Sequence, residues 1–223
     1  ARRAGFDPLG IDLFGDWDTR NAGPCIKANS LDEIPGILQQ NVRDDWCLAG
    51  GLERHLDRLF NGDLESSFLG TAPDGLKLFT DIQRVTKTVV SNGFRFPTIN
   101  FDPSCPPGRW IRKPLFASGG HGIEWARQGL PRSQHQYFQT WIAGKTISAA
   151  FVTDSRGTRL IGTTLQLLGR ELETENRPFA YAGSIGPLQL ETEREAQFLD
   201  FGRMIGQTIS LRGVWGADFV CRG

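Results

Sequence analysis

The stretch RKPLFASGGHGI, residues 112–123, joins a basic pair on a short apolar strand to a loop that holds one serine and three glycines. Backbone amides that approach phosphate oxygens call for glycine, because a Cβ blocks the approach and some positions need positive φ. Ser118, Gly119, Gly120 and Gly122 meet that need, His121 sits among them, and Lys113 precedes them on the strand, where its charge offsets that of a phosphate. The loop is not a Walker A sequence, which places its Lys and Ser or Thr after the glycines at the start of a helix. Such a loop alone is more often a hairpin turn than a nucleotide site, so its neighbours decide.

Upstream, residues 1–72 alternate apolar strands with helical patterns, as βαβ units do, and read as a small Rossmann-like unit. PLGIDLF and DWCLAGG are its strands, SLDEIPGILQQ starts a helix with Ser30 as cap and Glu33 behind it, and LERHLDRLF is a second helix. Ligands in such sheets lie beyond the carboxyl ends of strands, which makes Asp12, Gly50, Gly51 and Glu53 candidates to line a crevice. Equally, the two glycines turn the chain and Glu53 is a solvated acid.

Residues 73–223 form the second unit. DGLKLFTDIQRVTKTVVSN, residues 74–92, has Leu76, Phe79, Ile82, Val85 and Val89 on one helical face. RWIRKPLF, QYFQTWI, TISAAFVTD and TRLIGTTLQLLG then follow as strands of an antiparallel sheet, with turn signals such as DSRG between them. ETEREAQFLDFGRMIGQTISL is a helix, and GVWGADFV a final buried strand. Within that strand Asp218 is costly to bury unless it is paired or binds a cation; the alternative is a surface-facing position.

Lys and Arg number 25 and Asp and Glu 25, so no net field favours nucleic acid or an acidic membrane. Cys25, Cys47, Cys105 and Cys221 include no CxxC pair and read as free thiols rather than a zinc site or disulfide framework. With no apolar run of membrane-spanning length and no leader pattern, the expected location is cytoplasmic. ARRAG reads as the last turn of a helix and the closing strand has nothing returning, so both ends are expected to be cut.

The order of segments resembles the ATP-grasp superfamily over nearly the whole chain: a Rossmann-like unit, a helix ending NGFRFP, KPLFASGGHGI, YFQTWIAGKTISAAFV, LIGTTLQ, FAYAGSIGP, a long helix and GVWGADFV. That resemblance implies an α/β and α+β chain, with residues 1–72 as a pre-ATP-grasp unit and 73–223 as an incomplete ATP-grasp domain. It implies an ATP- and Mg²⁺-dependent carboxylate–amine ligase that works through an acyl phosphate on small-molecule carboxylate and amine substrates, with a homodimer as one allowed assembly. GIDLFGDWDT, GGLE and SGGHGI are similar to a subgroup of tyramine–glutamate ligases and one-carbon cofactor biosynthesis enzymes.

By the same resemblance Lys113 contacts ATP phosphates and residues 118–122 form the phosphate-covering loop, with Lys113 and Ser118 as its catalytic members. Gln139, Thr140, Trp141 and Ile142 form the adenine hinge, and Asp218 is a magnesium ligand. FAYAGSIGP resembles a loop of the carboxylate–amine ligases, which puts Tyr181, Gly183 and Ser184 toward the acceptor; packing aromatics in a turn is the other reading. The chain departs from the family pattern at Thr140, where an acid is usual, and at Lys145 and Thr146, where an acid commonly holds the ribose. Arg84 is the nearest basic residue to an expected helix lysine, and no E-x-N-P-R pattern follows Asp218. A nucleotide-binding or regulatory module without turnover is the competing reading; a dinucleotide oxidoreductase is disfavoured because no G-x-G-x-x-G opens a helix.

Overall fold

Strand signals in the first third of the chain are short, and so are the strands they form. In the computed structural model, which describes residues 1–42, 44–49, 52, 55–60, 67–116, 119–172 and 177–222, the chain divides into two units, Ala1–Leu76 and Lys77–Gly223. In the first, β1 (Gly10–Asp12) pairs in parallel with β2 (Cys25–Lys27), Ile11 opposite Ile26. Between them lies α1 (Trp17–Ala22), capped by the Asp16 carboxylate, which accepts from the Thr19 amide at 3.3 Å.

The expected cap at Ser30 makes no side-chain bond. A 3₁₀ turn at Leu31–Glu33 leads instead into α2 (Ile34–Asn41), and the Glu33 carboxylate reaches back to accept the Asn29 amide at 2.9 Å. Among the described residues of LERHLDRLF, expected as a helix, the helical ones form α3 (Leu56–Leu59), which buries Leu56 and Leu59. DWCLAGG, expected as a strand, contributes one parallel bridge among its described residues, Trp46 with Phe68. Trp46 sits against Phe60 and Phe68, with ring centroids 5.3 and 4.5 Å away, so aromatic packing holds the segment where ladder bonds do not. The expected opening helix turn is a 3₁₀ turn, Arg2–Ala4, closed by Gly5 at φ 83°.

The single helix expected over 74–92 is two. α4 (Pro73–Thr80) stops before Asp81, whose carboxylate caps α5 (Ile82–Ser91) by accepting the Gln83 and Arg84 amides at 3.0 and 3.2 Å. A short acidic side chain offers the backbone a partner that a continuing helix would not, and this breaks a continuous apolar face.

A first antiparallel sheet in the second unit has the order β3-β6-β4-β5, built from β3 (Ile99–Asn100), β4 (Trp110–Pro114), β5 (Glu124–Trp125) and β6 (Gln136–Thr140). Its core is Cys105, Trp110 and Phe138. A second sheet takes the long alternating runs as β7 (Lys145–Asp154) and β8 (Gly157–Leu168), with β9 (Tyr181–Ile185) beside β8 and β10 (Gly213–Cys221) beside β7. FAYAGSIGP was expected as a loop; its middle is β9, because β8 is long enough to offer it an edge.

The helix α6 (Thr192–Thr208) covers one face of this second sheet. Ile147, Ala149 and Phe151 of β7 pack there with Phe198, alongside Trp215, Ala217 and Phe219 of β10. Phe151 is fully buried and stacked on Trp215 at 4.5 Å, and burying a side chain of that size contributes roughly 2–3 kcal/mol. Gly202 and Gly206 let the helix come this close: a Cβ on Gly202 would lie 2.5 Å from the Phe151 ring. Because α6 covers one face only, β10 is not the buried strand expected. Its odd-numbered residues are half-buried and Val214, Gly216, Asp218 and Val220 are exposed on the other side.

Candidate functional site

Register decides which side chains share the open face of the second sheet. Asp218 lies opposite Ser148 on β7, and Gln166 of β8 lies opposite Ser184 of β9. Across these strands the polar side chains bond in sequence. The Ser148 hydroxyl donates to Asp218 Oδ1, and Gln166 Nε2 donates to Asp218 Oδ1 at 2.9 Å and to Ser148 Oγ at 2.6 Å. On β9 the Tyr181 and Ser184 hydroxyls are 3.0 Å apart. Asp218 is therefore an exposed, hydrogen-bonded residue of the open face; its place in an apolar strand reflects the half-covered sheet.

Lys113 comes from the other sheet, on β4, with Tyr137 as its cross-strand neighbour on β6. Its ammonium lies 3.4 Å from Gln139 Oε1 and 5.9 Å from the centre of the Tyr137 ring, both long for what they are. Burial pushes the Lys113 pKa below the ordinary lysine range, and the Asp218 carboxylate pulls it back up. The Tyr137 phenol, buried beneath, is pushed up to about 12 by desolvation. Lys113 of one sheet and Asp218 of the other thus lie within electrostatic reach of each other.

The glycines of the loop after β4 use the freedom for which glycine was invoked. Gly119, Gly120 and Gly122 have φ of 61°, 73° and 72°. Gly120 lies against the chain leading into β9, where a Cβ would stand 1.9 Å from the Phe179 carbonyl oxygen, and the Tyr181 amide donates to the Gly119 carbonyl at 2.9 Å. His121 is exposed, and Ser118 lies outside the described residues, as do Gly50, Gly51 and Glu53. Asp12 is engaged locally, its Oδ2 accepting the Phe14 and Gly15 amides at 3.0 and 2.7 Å.

At the segment expected as the hinge, the Thr140 amide donates to the Thr98 carbonyl and the Trp141 amide to the Arg109 carbonyl, at 2.9 and 3.0 Å. The amide and carbonyl of Ile142 take no hydrogen bond among the described residues. The Arg109 guanidinium lies 3.7 Å from the Trp141 ring centre and 4.7 Å from that of Trp125, and Trp125 meets Phe179 at 5.0 Å. Trp141 Nε1 is buried without a partner among the described residues. Gly144, at φ 158°, brings the hinge's exit against the Cys221 carbonyl, 2.6 Å from where a Cβ would stand.

Lys113 thus reaches Gln139 and lies within electrostatic reach of Asp218, with Ser184 and Tyr181 along the same open face as Asp218. Arg84 is ion-paired with Asp81 at 3.2 Å on α5 and contacts none of them. Ser148, Gln166 and Arg109 were not among the candidates. For Ser148 and Gln166 the signal was present as lone polar residues inside apolar strands; Arg109 left none.

Beside Ser148 an open groove of about 490 Å³ runs along the small residues of this face, Ala150, Gly162, Gly186 and Gly216 among them. Among the described residues no three or more His, Cys, Asp or Glu side chains cluster as a metal site. The donors at Asp218 are oxygens, one carboxylate with a hydroxyl beside it, which suits Mg²⁺: it takes one or two protein carboxylates and completes its shell with phosphates and water. All four cysteines are unpaired, and no described helix is long and apolar enough to cross a membrane.

A family model for the ATP-grasp domain matches residues 81–223. No curated protein matches the sequence. Solved structures do: an ATP-grasp superfamily protein from Archaeoglobus fulgidus (14% identity, TM-score 0.66, 96% of this chain and 77% of that one). Biotin carboxylase from Campylobacter jejuni in complex with β-γ-ATP is similar over 98% of this chain and 57% of its own (13% identity, TM-score 0.71). D-alanine–D-alanine ligase from Bacillus anthracis complexed with ATP is similar over 96% of this chain and 82% of its own (12% identity, TM-score 0.63). The chain thus spans little more than half the length of the carboxylase.

Proposed function

The chain belongs to the ATP-grasp family, and from that premise we propose that it is the nucleotide-binding part of an ATP-dependent carboxylate–amine ligase that forms an amide or peptide-like bond. The observation that carries the reading is that Lys113 and Asp218, one from each sheet, lie within electrostatic reach of each other, while the lysine has one long hydrogen bond among the described residues. An ammonium with one long hydrogen bond among the described residues is poised for an anion. A carboxylate whose oxygen is fixed by two donors is poised for a cation.

On this reading ATP lies between the sheets. The free amide and carbonyl of Ile142 pair with the adenine edge, Trp141 is held in place by Arg109, and Lys113 and the amides of residues 118–122 hold the phosphates. Asp218 holds Mg²⁺, which when bound neutralises charge on the transferring phosphoryl group. A substrate carboxylate oxygen attacks the γ-phosphorus and the bond to ADP breaks. The amine then attacks the acyl carbon, loses its proton, and inorganic phosphate departs. The groove beside Ser148 has the size of a small-molecule site, and on this reading the acceptor lies toward Tyr181 and Ser184, whose hydroxyls are 3.0 Å apart. The chemistry makes a cytoplasmic setting and a role in cofactor synthesis reasonable extensions of the same proposal.

Calorimetry of magnesium-dependent ATP binding to the full-length gene product, with ADP followed as amino acids and amines are added, tests this. ADP release that depends on an acceptor establishes the ligase. Binding with no ADP under any acceptor moves the assignment to a regulatory module, and the absence of binding rejects the site.

A further inference from the structure

Resting on the reading that Asp218 holds the nucleotide's cation, we infer that Ser148 and Gln166 are positioning residues that aim its carboxylate and set the affinity for that cation. The hydrogen bonds define the arrangement. Gln166 Nε2 has two hydrogens and two acceptors in reach, Ser148 Oγ at 2.6 Å and Asp218 Oδ1 at 2.9 Å. The amide turns its nitrogen to this pair, because its own oxygen would face the Asp218 carboxylate, which has no hydrogen to give. Having accepted from Gln166, Ser148 Oγ has one hydrogen to give, and it gives it to Asp218 Oδ1.

Both bonds fall on Oδ1, and Oδ2 receives none among the described residues. The carboxylate is therefore held from one side by residues of two neighbouring strands, with its second oxygen left for a ligand. A chain of donors running from amide to hydroxyl to carboxylate polarises along its length. Partners that orient a metal ligand typically change metal affinity by about 10- to 100-fold when removed. A lone aspartate on an exposed strand face would sample several rotamers; this one is committed to a single direction.

The test is Mn²⁺ binding to the full-length gene product in the presence of ADP, followed by electron paramagnetic resonance of the free ion, beside ADP affinity in excess chelator. Ser148→Ala and Gln166→Leu are each expected to weaken Mn²⁺ by about 10- to 100-fold while metal-free ADP affinity and the melting temperature hold. Ser148→Thr, which keeps the hydroxyl, is expected to retain wild-type Mn²⁺ affinity. If Asp218→Asn weakens Mn²⁺ and Ser148→Ala and Gln166→Leu do not, the positioning inference is overturned. If Asp218→Asn itself leaves Mn²⁺ affinity unchanged, the premise fails instead. Equal loss of metal-free ADP binding in the Ser148 and Gln166 variants would mark a merely structural role and also overturn the inference.

Discussion

Replacing Lys113 with methionine separates what this residue does for the fold from what it does for the ligand. Among the described residues its ammonium has a single acceptor, Gln139 Oε1 at 3.4 Å, and an aromatic face at 5.9 Å. Neither repays the water given up, and the lowered pKa has that desolvation as its main cause. Methionine keeps most of the stem volume and removes the charge, so stability is expected to rise by about 1 kcal/mol, the low end for relieving a buried ionic group. In a unit of this size that raises the melting temperature by about 2–4 °C. Asp218 loses a counter-charge but is exposed, so the loss offsets little of the gain. For ATP the sign reverses: a charge-assisted bond to phosphate is worth about 1.5–3 kcal/mol, or roughly a 10- to 150-fold weaker dissociation constant. Differential scanning calorimetry and titration calorimetry on the full-length product read the two effects. A variant that melts lower and binds ATP as tightly as the wild type refutes the reasoning on both counts.

Tyr137 has a pKa raised to about 12, so its neutral form is favoured by the fold; the associated stability is whole below pH 10 and is lost as pH climbs from about 10 to 12. Tyr137→Phe is therefore expected to match the wild type in urea melts at pH 7 and to outlast it in that alkaline window; identical alkaline melts would contradict this. Gly120→Ala places a Cβ 1.9 Å from the Phe179 carbonyl at φ 73°, so the loop must leave the β9 approach. Hydrogen exchange of the Tyr181 amide, bonded to Gly119 at 2.9 Å, should accelerate, and an unchanged rate would show that the loop is not docked there.

Legibility in the sequence followed sequence distance. Segments with their own pattern were readable: the alternation of 145–154 and 157–168, the apolar stripe of α6, and glycines that do adopt positive φ. Lys113 stood out because it precedes the glycine loop, and Asp218 because it is a charge inside an apolar strand. What escaped depended on partners elsewhere. β9 is a strand because β8 extends past β7 to meet it, whereas the described residues of DWCLAGG find a ladder partner at a single residue, Phe68 opposite Trp46. The break at Asp81 was local and visible, an acid that caps better than it continues, yet the apolar period ran through it unbroken.

Ser148 and Gln166 are the clearest case of meaning that arises only from register. Each alone is an ordinary polar residue on the solvent side of a strand. They converge on Asp218 across 70 and 52 residues of sequence, and only because β7 is paired with both β10 and β8. A slip of one residue in either ladder would turn its side chains to the α6 face and disperse the cluster, because alternate residues of a strand face opposite sides. The apolar face against α6 fixes that register: Phe151 and Ala149 cannot face water without emptying the core. The packing that stabilises one side of the sheet is therefore what aligns the hydrogen bonds on the other. A defect in the first, such as a bulkier residue at Gly202, which faces the Phe151 ring, should appear in the second as weakened cation binding before the unit unfolds.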